Sequence, residues 1–480
     1  MEAYRESAIL KSTAWQGLTD FMRAHHQAWN QGVPDFEQFE RELHTHVLAV
    51  ERAFLTEELA HYDVQAEQIV VHGVRYGQPL SSTETYLTTA GPVTVERQLY
   101  RPAGRGSRHI CPLEMRVGIV AGYFTPAAAR VGAYVTAHLV PAIGAELFTE
   151  LGGMQPSASE LGRLPKELSA QWEIHREAWE AQLRSLESVP KTAVTLAISL
   201  DGVLAPMRGG APEPAEVEAE PKQPKGPKGY QEVGCGAISL YDAAGERLQT
   251  VRYGRMPEKH KLTLGQQLQA ECQALLAVKP HLRLVKLSDG ARSNWAYLDR
   301  LDVGRPAEQG ETWDIVDFYH ACDHLHQATT AIWGEFTPKG HAEFERLKTL
   351  LKETDQGAEV ILRVLRYRYR KARGAKRATL KKELTFFRNQ RPRMHYAAYL
   401  RQNLPIASGV VEAACKTLVA QRLKQSGMRW SKAGGQAIVT LRSLIQSERW
   451  AHAWMLLRQS YQISVVTVPA SGYSALPLAA

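Results

Sequence analysis

Three runs of β-forming residues, each ending in an aspartate, lie between residues 192 and 320: TAVTLAISLDG, LRLVKLSDG and TWDIVDFYH. Short, nearly continuous apolar runs bounded by turn residues suit strands that are covered on both faces. After the first run, EVGCGAISLYD and RLQTVRYGRM flank DAAGE and read as a hairpin. TLGQQLQAECQALLAV has helical spacing, ARSNWAYLDRL looks helical, and helical patterns follow the third run. The order strand, hairpin, helix, strand, helix, strand, helix constrains the fold to a mixed sheet of about five strands with helices packed on it.

That order is the ribonuclease-H-like plan, an α/β core. At 480 residues the chain is too long for one simple core, and roughly two to four domains are expected. Residues 1–65 read helical, with a cap at Asp35. Residues 66–115 form a small β-rich region punctuated at Ala90-Gly91-Pro92. Residues 116–190 are helical again, with a Gly152-Gly153 stop and a capping box, Ser157-x-x-Glu160. Two short helices around such a stop suit either a DNA-reading helix-turn-helix or plain scaffold. The core occupies 191–324 and 401–460, split by an all-helical basic insertion at 325–400 and followed by a tail at 461–480. Within the core, GGAPEPAEVEAEPKQPKGPKGY is rich in proline and poor in apolar residues, and is expected to be a flexible insertion.

Hydrophobic content of 44% and charged content of 22% describe an ordinary globular protein. Five scattered cysteines with no C-x-x-C pair argue against a disulfide framework and for a reducing compartment. The start, MEAYRESAILKS, lacks a signal-peptide pattern, and the longest apolar stretch is broken by Arg130, His138 and two prolines. The expectation is a cytoplasmic protein with no membrane span. Charge is uneven: Arg363–Arg393 holds 13 Lys/Arg against Glu383 alone, +12 in a chain of net +8, so the remainder carries 8 − 12 = −4. Tyr367, Tyr369, Phe386 and Phe387 are interleaved, as in a nucleic-acid footprint, although charge runs are commonly just solvated helix faces.

Asp201 and Asp289 stand where their runs end, the edge at which open sheets with parallel strands bind ligands. Asp-Gly is also a strong turn signal. A third acid, Glu412, borders an apolar arc of Val410, Val411, Ala414, Cys415, Leu418 and Val419 on a helix starting near Ser408-Gly409. Alone, it would pair with Lys416 one turn on. Together, three carboxylates repel and call for a hard divalent cation, Mg²⁺ or Mn²⁺, of which two ions support phosphoryl displacement.

SLDG, LSDGARSNW, DFYHACDHL and PIASGVVEAACKTLVAQRLKQSGMRW resemble the motifs of bacterial insertion-sequence transposases of the DDE type, nearest to the ISKra group, which is related to Mutator-like elements. The likeness spans roughly residues 80–455, with the Glu412 segment its most specific part. It implies a metal-binding triad of Asp201, Asp289 and Glu412 on a ribonuclease-H-like fold, and an Asp-x-x-His pattern at Asp317 and His320, candidates for a supporting role. Relatives carry a zinc-ribbon-like cysteine pair near YRPAGRGSRHICPLE, where this chain has only Cys111. His320 and His324 share a helix face beside Cys322 and His326, and a structural or DNA-facing role is expected there.

The activity so implied is cleavage at the terminal inverted repeats of an element and joining of the ends to target DNA. The partners are double-stranded DNA and at least a second copy of the chain, associated with the nucleoid when DNA is bound. Arg292, Lys416, Arg422, Lys424, Arg429 and Trp430 are the expected contacts near the cut, and Arg366, Arg368, Arg370 and Lys371 the expected phosphate contacts of the basic block. Two other readings remain at this point: a ribonuclease-H-like nuclease or resolvase that does not join, and a catalytically dead DNA-binding protein.

Overall fold

The computed structural model describes residues 12–102, 109–208, 227–304 and 310–468. The expectation of a flexible Pro-rich insertion falls mostly at 209–226, outside the described residues. The chain divides into two compact units, residues 1–179 with 450–480, and residues 180–449.

The first unit opens with α1 (Thr13–Ala28) and α2 (Phe36–His61). Asp35 caps α2 as expected, accepting from the Glu37 and Gln38 N–H groups. Strands β1 (Gln68–Val71), β2 (Val74–Thr88) and β3 (Gly91–Pro102) follow as antiparallel neighbours. Then come α3 (Pro112–Val117), α4 (Pro126–His138), α5 (Pro141–Leu151) and α6 (Ala158–Leu186). The Ser157–Glu160 capping box forms in both directions, at 2.7 and 3.2 Å. The expectation of two short helices is corrected: α6 has 29 residues.

In the second unit, β4 (Thr195–Pro206), β5 (Tyr230–Tyr241), β6 (Arg247–Arg255), β7 (Arg283–Ser288) and β8 (Thr312–Val316) form one mixed sheet in the order β6-β5-β4-β7-β8. The β4–β5 and β5–β6 pairs are antiparallel, and β4–β7 and β7–β8 are parallel. α7 (Leu262–Val278) covers one face, where Leu264 and Leu268 pack among Leu196, Ile198 and Leu200. α8 (Arg292–Leu298) follows β7, and α9 (Phe318–Trp333), α10 (Pro338–Glu353), α11 (Gly357–Lys371), α12 (Gly374–Gln390) and α13 (Tyr396–Arg401) make the helical stretch expected after β8.

The other face is covered by α14 (Gly409–Ala414), which runs on through a π-helical segment, Cys415–Ala420, into α15 (Gln421–Leu423), and by α16 (Lys432–Gln446). Val411, Leu418, Ile438 and Val439 pack there against Val233, Cys235 and Ala237. The chain then closes the first unit with α17 (Trp450–Tyr461) and β9 (Val466–Val468). β9 pairs with β1, so the expected tail begins as a strand.

One strand end differs from expectation. β4 does not stop at Asp201-Gly202 but continues, paired with β5, to Pro206. Gly202 therefore sits inside a paired strand and not in a turn, with the Glu232 side chain lying over it. Among the described residues, no helix is long and apolar enough to cross a membrane.

Candidate active site

Parallel pairing of β4 with β7 ends at Ser199 and Leu287. Asp201 lies two residues further along β4 and Asp289 lies just past the end of β7, and the two are near enough for the charge of Asp289 to act on Asp201. Burial holds the Asp201 carboxyl above the usual carboxylate range, and the facing Asp289 raises it further, against the opposing influence of the Gly202 N–H and Lys261. The Asp289 carboxylate is fixed by the Ala291 N–H at 3.1 Å, the Asn294 side chain at 3.0 Å and the Ser288 hydroxyl at 3.2 Å.

The Glu412 helix meets this edge from the other side. Cys415 Sγ lies 3.7 Å from Asp201 Oδ2, and Glu412 stands three residues earlier on the same helical stripe. The neighbouring Cys235 thiol and burial push the Cys415 thiol well above its ordinary range, so it is an inert neighbour, not a nucleophile. Glu412 is exposed and accepts a hydrogen bond from the Ser408 hydroxyl at 2.8 Å, in place of the Lys416 pairing considered from sequence. Ser408 in turn donates its backbone N–H to Asp317. The Asp317 N–H bonds the Ser288 carbonyl at 2.9 Å. Glu412, Asp317 and Asp289 are thereby joined through two serines.

Asp317 is 1% exposed, and both its carboxylate oxygens are spent on backbone, one on Ser408 and one capping α9 through the His320 N–H. Its role is to fasten α9 and α14 to the end of β8. The His320 ring lies against His324, which stacks on Phe386 at 3.6 Å and contacts the fully buried Glu383 at 2.5 Å. Cys111 is buried and its thiol is raised by burial. The rest of the expected ribbon segment, 103–108, lies outside the described residues.

Whether a divalent cation fits is decided by the donors. Asp201 and Asp289 supply hard oxygens whose mutual repulsion a cation would relieve. Glu412 is held off by Ser408, and among the described residues no three His, Cys, Asp or Glu side chains are gathered closely enough to hold an ion. Two carboxylates suit the cation, and Glu412 is held by Ser408 instead of joining them.

Of the expected DNA contacts, Arg292, Lys416, Lys424 and Arg429 are exposed, as are Arg366, Arg370 and Lys371 on α11. Arg368 is half-buried with its guanidinium 5.0 Å from the Trp333 ring centre. Two of the expected contacts are less open. Arg422 is 2% exposed, and burial, with Arg442 beside it, lowers its guanidinium to about 10. Trp430 is half-buried, donates Nε1–H to the Leu423 carbonyl at 3.0 Å and is tied by backbone to Pro206 and Arg208. A residue pattern that looked like a DNA face on one helix is in part the inner side of that helix.

Sequence reasoning missed Lys261. Its ammonium is 2.7 Å from Glu232 Oε1 and 3.1 Å from Asn294 Oδ1, and Asn294 also binds Asp289. Lys261 and His260 have φ of +51° and +56°, a left-handed conformation that costs a non-glycine residue roughly 1–2 kcal/mol. No linear pattern marks such a pair.

No protein-family model matches the chain, and no curated protein matches it. A solved structure, the Drosophila P element transposase strand transfer complex, is similar at 12% identity and a TM-score of 0.26, over 71% of this chain and 82% of that one. A score that low carries no argument about function.

Proposed function

We propose that this chain is a DDE-type insertion-sequence transposase of the ISKra kind, built on a ribonuclease-H-like sheet. The observation that carries the reading is the register: Asp201 and Asp289 both just beyond the last β4–β7 pair and near enough to interact, with the Glu412 helix packed on the same edge. The sheet order, two antiparallel pairs then two parallel ones with a helical insertion before Glu412, supports the fold name. Exposed cations on α11 support an anionic substrate, double-stranded DNA.

Asp201 and Asp289 would hold Mg²⁺ or Mn²⁺, with Glu412 joining them on leaving Ser408. Two bound ions supply activation of the attacking oxygen and stabilisation of the leaving one. In the first step water oxygen bonds to phosphorus, the bond to the 3′-oxygen breaks, and that oxygen takes up a proton. In the second the freed 3′-hydroxyl attacks a target phosphodiester, displacing another 3′-oxygen. Two element ends cut together call for at least a dimer.

The test incubates the full chain with Mg²⁺ or Mn²⁺ and DNA bearing the inverted repeats that flank its gene. Cleavage followed by joined products is expected, and Asp201→Asn should abolish both. Cleavage without joining would favour a nuclease or resolvase. The Glu412–Ser408 bond favours one further reading, a DNA-binding protein without catalysis, which metal-independent binding with no cleavage would establish.

A further inference from the structure

Lys261 is carried to the carboxylate edge by an unusual piece of backbone. It is the last residue before α7, and with His260 it forms two successive left-handed, non-glycine positions. A helix that simply began earlier would relieve that strain. In the strained conformation the ammonium reaches both Glu232 and Asn294. Strain of this kind persists only where surrounding contacts hold it, and it is concentrated at functional sites.

The charges around it say what it works on. The side chain is 20% exposed, at the rim and not in the core. Among the described residues it gives two of its three N–H donors to Glu232 and Asn294, leaving one for a ligand. Its positive charge bears directly on Asp201. As a partner for Glu232 alone, a rim ammonium would contribute little and would not need a strained backbone.

We infer that Lys261 is a substrate-contacting residue of this site, its ammonium binding a non-bridging oxygen of the phosphodiester brought to Asp201 and Asp289. The inference rests on the function proposed above. A phosphodiester entering between two carboxylates is repelled by both, and a fixed cation on their flank offsets that repulsion and the negative charge on the phosphoryl oxygens. Asn294 makes the placement rigid, since one amide grips Asp289 with its nitrogen and Lys261 with its oxygen.

The experiment compares full-length wild type with Lys261→Met and Lys261→Arg in three measurements. Single-turnover cleavage of end DNA should fall roughly 100-fold in Lys261→Met, the loss typical of one transition-state donor, and be partly kept by Lys261→Arg. Affinity for the same DNA, read in Ca²⁺ without turnover, should change less than about threefold, because one phosphate contact among many is lost. Mn²⁺ alone, titrated into DNA-free protein, should bind Lys261→Met as tightly as wild type or tighter, because a like charge has been removed from beside the carboxylates. If Lys261→Met binds Mn²⁺ more weakly and both variants melt lower, the lysine only braces the loop and the inference is overturned. If wild type cuts and Lys261→Met cuts equally well, the inference alone falls. If wild type cuts nothing, the proposed function falls and takes this inference with it.

Discussion

Arg449 and Lys261 are both cations set among acids on the five-stranded sheet, but their surroundings differ. Arg449, just after α16, has a side chain 3% exposed, gripped by Glu187 at 2.6 Å, Glu271 at 2.7 Å and the Tyr253 hydroxyl at 2.8 Å. Burial alone would lower its guanidinium, yet Tyr253, Glu271 and Glu187 push it up. Arg184 stands 3.8 Å from the same Glu271, so a second guanidinium joins the group. Around Lys261 the balance is reversed: Glu232 and Asp201 act on one ammonium that is 20% exposed, and Asp289 is joined to it through Asn294. The first group is closed, and its function is to join α6, α7 and β6. The second has an excess of acid on an open edge, and something from outside must complete it.

The comparison breaks most visibly at Arg449. Arg449→Met leaves Glu271 and Glu187 without their main partner, and should cost about 3–5 kcal/mol of stability. Urea unfolding followed by far-ultraviolet dichroism checks this. A midpoint unchanged from wild type would mean that water or Arg184 replaces the guanidinium and that the group is no keystone.

Asp201→Asn should act in the opposite sense on stability while destroying activity. If Asp201 holds the cations of the proposed mechanism, its loss should forfeit about 4 kcal/mol of transition-state stabilisation, roughly a thousandfold in rate. The folded protein, however, gains. A carboxyl whose folded pKa is raised contributes stability that is fully present below its unfolded value and is lost as pH rises through the folded one. At neutral pH wild type therefore carries a penalty that Asp201→Asn lacks, and melting curves without metal from pH 4 to 8 should show the variant higher and flatter. A variant that melts lower at pH 7 would place Asp201 with the closed network, not the open site.

Gly290→Ala probes what braces the open site. A Cβ there would lie 2.3 Å from Phe386 Cε2, and that ring is backed by His324. Overpacking of this kind costs about 1–3 kcal/mol. Because Gly290 adjoins Asp289, cleavage should fall with stability, and Phe386→Leu in the same chain should restore both. Rescue of stability without cleavage would separate the brace from the chemistry.

Much of the sheet was legible because its strands are dense in β-branched and apolar residues with turn chemistry between them. The hairpin at DAAGE forms as read, with Asp242 accepting from the Ala244 and Glu246 N–H groups. Asp201-Gly202 was misread as a strand end because Asp-Gly is a local turn signal, whereas the pairing with β5 that carries β4 on to Pro206 comes from a distant segment. Arg422 was misplaced for a related reason. On a helix covered from one side, an arginine among lysines looks like part of a charged face until α16 and Trp430 are packed against it. Lys261 was invisible because its importance lies in two backbone dihedrals. The basic block was legible as charge, but not how much of it is already committed. Arg391 pairs with Glu359 at 2.8 Å, and Arg393 with Asp299 at 2.9 Å.

The smallest effect separates cations that face solvent from those the fold has used. Arg366→Ala, Arg370→Ala and Lys371→Ala remove exposed side chains from α11, and each should change folding stability by less than about 0.5 kcal/mol. If they hold phosphates, each should flatten the slope of log affinity against log salt by about 0.9, equally for end DNA and for random DNA. Arg422→Ala is the control from the closed side: buried against Trp430, it should leave the salt slope unchanged and lower the urea midpoint. Fluorescence anisotropy from 50 to 300 mM salt reads all four variants. A slope that stays fixed in the three α11 variants while affinity falls would mean that those side chains shape the insertion without touching DNA. A slope that falls in Arg422→Ala would mean that α14 and α15 open to expose it when DNA binds.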